Sequence, residues 1–592
     1  MVRQYIGARY VIKIYDNTAD HSADWESGVE YEALTMVIYN NASYLSRKPV
    51  PASVGNPAAN PAFWVNTGSY NGQISQLQAQ ISQLQDQIQD QITALENMAA
   101  TPEMYGAVGD GSTDDSAAFQ SAVDNAYLIV LTKHYKISGI TLSHDVYVLG
   151  IDGEITPVTV PGTNLFKGVF TADGYNLTID GVAFSGEVYA GTEITTRDSL
   201  IWAKNCESFI FKNCVIDGIG FAHANDDDAA FYDFFATWIR ANDVKNVEIS
   251  GNAFIDGGGD ELIYICPRTM TAADAPAVTI CNNRFLSNPR GGSINVMASS
   301  VKIENNYFYH FRYPGSVFNL SGKMIECVGN TFEDVEAGSI FDAYEGAKFI
   351  ADKFIVKDNR VTGTVTDFAL NTGNIVDIED NDVECKVFLA NHLTVLTSAQ
   401  APAMLQNNQN RENGMVNVRG NKITITGSGG GPVIRAAGIN VGVTGDIAPT
   451  AYKKQLRLNV ENNAIRFTQY FVDNGKYMIY VIPLFRVVNV SNNIITNPNR
   501  DGQSGAAKFL CVNNCQQPDP TIIPDAYYAH NNVFTDIDSA LSNGAVIFKF
   551  DVGGTNREVV KVADVYHNHA TDRAVALGFT SALVTSIYTD IT

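Results

Sequence analysis

The densest supply of residues able to do chemistry lies between positions 217 and 290. Asp256 is followed by "GGGDE", which carries Asp260 and Glu261, and Asp217 and Asp256 each stand four residues after an asparagine. Between them runs the insertion "FAHANDDDAAFYDFFATWIRAND", which sets Asp226, Asp227 and Asp228 beside Phe231, Tyr232 and Trp238. Aromatic faces with acids suit sugar rings. Glycoside cleavage needs two carboxyls, about 5 to 5.5 Å apart for retention and about 6.5 to 9.5 Å apart for inversion. The candidate catalytic acids are therefore Asp256, Asp260 and Glu261. The candidate sugar contacts here are Tyr232, Trp238 and Arg290 of "NPRGGS". Arg268 and Arg290 would hold an anionic sugar or simply pair with the acids. Each residue also has a plainer reading. Asp-Gly at 217–218 and 256–257 is a common turn pair, Asp226 to Asp228 read as a solvated loop, and His310 reads as a corner residue.

The elements that must position these side chains declare themselves by repetition. The pattern apolar-x-apolar-x-x-Asn-x-apolar recurs at Asn213, Asn252, Asn283, Asn306, Asn330, Asn359, Asn381, Asn421, Asn463, Asn493 and Asn532. Short strands broken at a polar corner, at intervals in the twenties and upward, mean a solenoid. The asparagine suits the corner because it tolerates left-handed backbone angles, and stacked asparagines can bond from rung to rung. A β-sandwich with asparagine-rich turns is the alternative. In the stacked arrangement Asp217 and Asp256 become rung neighbours, about 4.8 Å apart.

Ahead of the repeat, residues 1–70 form a small aromatic-rich unit, with a hairpin expected around Asn40-Asn41. Its Trp25 and Trp64 serve either as core or as sugar contacts. Residues 71–100 carry Ile74, Leu77, Ile81, Leu84 and Ile88 in 3-4 spacing, a seam that needs partner helices and, flanked by Gln and Ser, points to self-association. Ile at a with Leu at d favours two strands in simple peptides. The net charge of −23 argues against nucleic acid and anionic membranes as partners. No apolar run reaches membrane-spanning length, and no secretory signal opens the chain. The eight cysteines read mostly as small buried residues, with a disulfide or metal site at Cys511 and Cys515 as the alternative. No cofactor or metal is otherwise indicated.

A solenoid needs its open end sealed. "MYGAVGDGSTDDSAAFQSAV" offers a glycine-rich turn, a helix start at Thr113 or Asp114, and one apolar helix face made by Ala118, Phe119, Ala122, Val123 and Ala126. "YGAVGDGSTDD…AFQSA" closely resembles the entry motif of the pectate-lyase-like right-handed parallel β-helix superfamily, shared by polygalacturonases, related glycan lyases and hydrolases, and many phage tailspikes. With the repeat, the resemblance extends to about residue 570. "DWESGVEYEALTMVIYNNASYL…" looks like an N-terminal module of phage tail appendages, and also like small chitin-type carbohydrate-binding modules.

The resemblance implies an all-β chain. It would comprise a small module (1–70) for virion attachment or carbohydrate binding, a coiled coil (71–100), a capped right-handed parallel β-helix (101–540), and terminal rungs or a closure (541–592). It implies a homotrimer on a virion, joined to other phage tail proteins through its N-terminal region, that binds a bacterial surface polysaccharide or wall polymer. Depolymerisation, by a glycoside hydrolase or a polysaccharide lyase, is the expected activity; a non-catalytic adhesion fibre and a secreted lyase or hydrolase are the alternatives. "GGGDE" echoes the Gly-Asp-Asp of polygalacturonases with Glu261 in place of the second Asp, but no matching Gly-His-Gly or Arg-x-Lys accompanies it.

Overall fold

The computed structural model describes residues 12–17, 20–68, 79–88, 99–158, 168–186, 188–190, 199–222, 237–256, 261–267, 276–288, 292–343, 351–371, 375–391, 414–426, 433–437, 456–468, 478–482, 485–496, 507–513, 526–535, 546–551, 562–566, 569–570, 575–579 and 587–590. The chain divides into two compact units, Met1–Met98 and Ala99–Thr592.

In the first unit a four-stranded sheet carries its own core of Tyr31, Val37, Tyr44, Val50 and Trp64. The expected hairpin joins Thr35–Tyr39 to Ala42–Ser46, with Asn40 and Asn41 both left-handed at φ 49° and 61°. Two consecutive positive φ angles make the primed turn whose twist matches that of the strands. Residues 79–88 are helical and exposed throughout, so Ile81, Leu84 and Ile88 present an apolar seam at 53 %, 56 % and 54 % exposure.

The second unit is a coil of parallel strands with three faces. One rung runs Asn246–Ser250 on the first face, Ala253–Ile255 on the second and Glu261–Ile265 on the third, then returns to the first face at Ala277–Cys281. Each strand pairs in parallel with its counterpart one rung on, as in Asn246↔Ala277, Ala253↔Arg284 and Glu261↔Ser293. This register builds columns of like residues. Inward on the first face stand Ile249, Ile280, Ile303, Cys327, Val356 and Ile378, all buried. On the second face the rings of Phe254, Phe285, Phe308 and Phe332 stack at centroid separations of 4.7, 4.3 and 4.7 Å. Parallel pairing continues as far as Ile587–Asp590.

The corner between the first two faces departs from expectation in one respect. The stacked asparagines are not left-handed; the residue before each one is, from Gly251 (φ 68°) and Asn282 (φ 56°) through Asn531 (φ 55°). That frees the asparagine side chain to point inward. From Asn252 to Asn493, each Nδ2 donates to the Oδ1 of the asparagine one rung on, ending at Asn532, at 2.9–3.0 Å. Asn213 falls outside this ladder. It is itself the left-handed residue (φ 54°), and Cys214 occupies the ladder position, donating its backbone N–H to Asn252. The alignment of Asp217 with Asp256 therefore slips by one: Asp217 pairs with Ile255, and Gly218 lies over Asp256.

The lid is present at the front. Helix Ser116–Asn125 buries Phe119, Ala122 and Val123, and Phe119 meets Tyr135 and Phe170 of the first rungs at 6.0 and 5.8 Å. Thr113 does not start the helix; its hydroxyl bonds Asp110, and Asp114 accepts the backbone N–H of Ser116 at 3.0 Å. Buried Asp115 accepts from Val108 and Gly109 at 2.7 and 3.0 Å, which fastens the glycine-rich turn to the helix. The described cysteines 206, 214, 266, 281, 327 and 385 are free thiols. The Cys511–Cys515 pairing lies outside the described residues.

Candidate functional site

The outward side chains distinguish the three faces. On the first face they are largely paired ions, such as Lys212–Asp180, Lys353–Asp377 and Arg419–Glu461 at 3.3, 3.7 and 2.9 Å. On the third face, register places Trp202, Arg240, Tyr264, Asn295, Asn319 and Asp342 in one outward row, one residue per rung. At about 4.8 Å per rung the row runs about 24 Å along the coil.

The aromatic end is pre-arranged. The Arg240 guanidinium lies between two rings, 5.0 Å from Trp202 and 5.6 Å from Tyr264, and Lys204 Nζ stands 4.7 Å from Trp202. Asn242 anchors this end, accepting from Trp202 Nε1 at 3.0 Å and Arg240 Nε at 3.1 Å. Fixed cations over aromatic faces hold the rings in place.

The middle of the row opens into a cavity of about 350 Å³ whose walls include Tyr264, Asn295 and Asn319 on one side and Cys266, Met297 and Ser321 on the other. Glu261 sits beside it at the start of its strand, and its Oε1 accepts from Asn295 Nδ2 at 2.6 Å.

At the acidic end Asp342 and Asp367 occupy neighbouring rungs, with Asp342 paired to Leu370 and Asp367 to Ser339. Burial pushes the Asp342 carboxyl up to about 6, the nearby Asp367 adds to the rise, and a hydrogen bond from Ser316 at 3.1 Å opposes it. Burial raises Asp367 as well. Among the described residues neither carboxyl forms an ion pair. Two carboxyls withdrawn from water, both with raised proton affinity, are suited to acid–base work.

The sequence candidates scatter by comparison. Asp256 is an exposed turn residue at φ 44°, in the corner place that Ser287, His310 and Asp334 fill on later rungs at φ 51°, 51° and 54°. A position repeated as Ser and His serves the bend. His310 bonds Asp334 within that corner column at 2.9 Å. Trp238 is 1 % exposed, stacked on Phe254 at 5.4 Å, with its indole N–H on the Ile219 carbonyl at 2.9 Å. Trp64 is 1 % exposed, edge-on to Tyr31 at 5.2 Å. Neither ring can meet a sugar, because each is sealed in a core. Trp25 is half-buried against Tyr39 and keeps an open edge. Asp260, Tyr232 and Arg290, with Asp226 to Asp228 and Arg268, lie outside the described residues. Of the two proposed acids that are described, Asp256 and Glu261, Glu261 stands on the third face.

The row had a signal in the sequence. Tyr264, Asn295 and Asp342 each stand twelve residues after Asn252, Asn283 and Asn330, and Asn319 stands thirteen after Asn306. The extra residue is taken up by a register shift between Tyr313 and Ser316.

No protein-family model matches the chain, and no curated protein matches it significantly. Among solved structures, it is similar to tailspike protein 3 of bacteriophage CBA120, at 12 % identity and a TM-score of 0.25, over 95 % of this chain and 78 % of that one. It is also similar to PfbA, a surface adhesin of Streptococcus pneumoniae, at 14 % identity and a TM-score of 0.30, over 80 % of this chain and 91 % of that one. ORF18 of Geobacillus virus E2 matches at 12 % identity and a TM-score of 0.16, over 80 % and 70 % of the two chains. The parallel β-helix rests on this chain's own strand register, not on these likenesses.

Proposed function

We propose that the chain is a phage tail appendage of the tailspike kind, which binds a bacterial surface glycan along its third face and hydrolyses it at Asp342 and Asp367. The order of a small aromatic module, a heptad helix and a capped β-helix supports the tail reading. The exposed seam of Ile81, Leu84 and Ile88 supports assembly with copies of itself, and the resemblance to tailspikes makes the assembly a homotrimer.

One observation carries the glycan reading: the register-matched row from Trp202 to Asp342. It offers two rings, an arginine and two amides in a line along the coil, ending in the Asp342 carboxyl. A linear polymer of amphiphilic rings matches such a strip, with ring faces on the aromatics and hydroxyls on the amides. In the cleavage step, protonated Asp342 gives its proton to the bridging oxygen as the bond to the anomeric carbon breaks. Asp367, ionised, takes a proton from the water whose oxygen bonds to that carbon.

The non-catalytic fibre has one observation on its side: the row from Trp202 to Asn319 is complete as a binding surface without either carboxyl. Digestion of purified bacterial envelope glycans, followed by mass spectrometry of released oligosaccharides, separates the two. Release by the native chain and none by Asp342→Asn supports hydrolysis; tight binding with no release leaves the adhesion fibre.

A further inference from the structure

The cavity in the middle of the row has a chemistry of its own, with two unlike columns running side by side across three rungs. One is amide: Asn295 and Asn319, register partners. The other is sulfur-rich: Cys266 and Met297, with sulfurs 3.9 Å apart, lie over the buried Leu320, and Ser321 continues the column on the next rung. Asn295 spends its Nδ2 on Glu261 at 2.6 Å and Ser293 at 3.2 Å. Among the described residues its Oδ1 accepts nothing, and the Asn319 amide makes no side-chain hydrogen bond. The cavity therefore offers an open carbonyl acceptor, an open amide and a thioether-lined wall within a few ångströms.

We infer that this cavity is a subsite for an acetamido sugar, with the ligand N–H on Asn295 Oδ1, the ligand carbonyl on Asn319 Nδ2 and the acetyl methyl against Met297 and Cys266. A hydroxyl would satisfy one amide and leave the sulfur wall facing a polar group; an unsubstituted amine is cationic and has no apolar part to bury. An acetamide supplies a donor, an acceptor and a methyl together. A site built to hydrogen-bond a ligand amide rejects analogues lacking it, because its own polar groups are then left unpaired. The inference rests on the glycan reading and narrows it to N-acetylated chains, whether of a surface polysaccharide or of peptidoglycan.

The test uses the full chain against immobilised bacterial capsule, O-polysaccharide and peptidoglycan glycan strands, each native, chemically de-N-acetylated and re-N-acetylated. We expect binding to at least one native N-acetylated glycan, a loss of tenfold or more on de-N-acetylation, and recovery on re-N-acetylation; which panel member binds identifies the source. Met297→Glu should weaken binding to that glycan at least tenfold, and Met297→Leu should keep it. Equal binding to native and de-N-acetylated forms overturns the acetamido subsite and leaves the glycan surface standing. Binding to no glycan overturns both.

Discussion

Ser316 donates its hydroxyl to Asp342 Oδ2 at 3.1 Å from the neighbouring rung, and itself accepts from Ser339 at 2.6 Å. This is weak compensation for a carboxylate that is largely withdrawn from water and has the Asp367 charge nearby, so Asp342 holds its proton to about pH 6. Its folded-state value lies above its unfolded value of 3.8. The folded state therefore binds the proton more tightly, and this group favours folding below about pH 4. That contribution is lost as pH rises to about 6, and the cost above that is roughly 2–3 kcal/mol. Asp342→Asn should raise the melting temperature at pH 8 and leave it unchanged at pH 4, as read by calorimetry at both values.

The asparagine ladder makes its own prediction. Asn330 donates to Ile303 O and Asn359 Oδ1, both at 2.9 Å, and accepts from the backbone N–H of Asn306 at 3.0 Å. Asn330→Ala leaves those buried partners unpaired and should cost about 1–3 kcal/mol. Denaturant unfolding monitored by circular dichroism should show the loss, with glycan binding at the third face unchanged.

The second corner predicts tolerance instead. Asp256 is exposed and left-handed at φ 44°. Asp256→Gly should be neutral in stability and activity, whereas Asp256→Val, β-branched at that backbone angle, should cost about 1–2 kcal/mol. Full loss of glycan cleavage in Asp256→Gly, with the melting temperature kept, would restore this residue to catalysis.

The helix at 79–88 predicts association. Leu84→Asp sets a charge into the exposed apolar seam and should lower the oligomeric state measured by light scattering. If the native chain is a monomer at micromolar concentration, the seam has another role.

The fold was legible because its strongest signal is local. An asparagine flanked by alternating apolar residues marks one corner on the rungs from Asn252 to Asn532, and the helix of the lid announces itself by spacing. Two details were not legible. Asn213 looks like a ladder residue, but the bend needs one left-handed residue per rung, and there the asparagine supplies it. Trp238 looks like a sugar platform because it closes an acidic, aromatic insertion, and its place two residues before outward Arg240 agrees; yet at the start of its strand it turns inward onto Phe254, against the alternation. The outward row of the third face escaped because the acids were aligned at the offset of four that Asp217 and Asp256 share, whereas that row lies twelve or thirteen residues after the corner asparagine. Asp367 stands eight after Asn359, so no constant offset would have paired it with Asp342.

The central claim is that glycan meets the third face of the coil. Affinity for the best-bound envelope glycan, measured side by side for the native chain, Trp202→Ala and Trp25→Ala, tests it most directly. The account predicts that Trp202→Ala lowers affinity at least tenfold with an intact far-ultraviolet spectrum, while Trp25→Ala leaves it unchanged. Loss in Trp25→Ala with native affinity in Trp202→Ala would contradict the account and move recognition to the N-terminal unit.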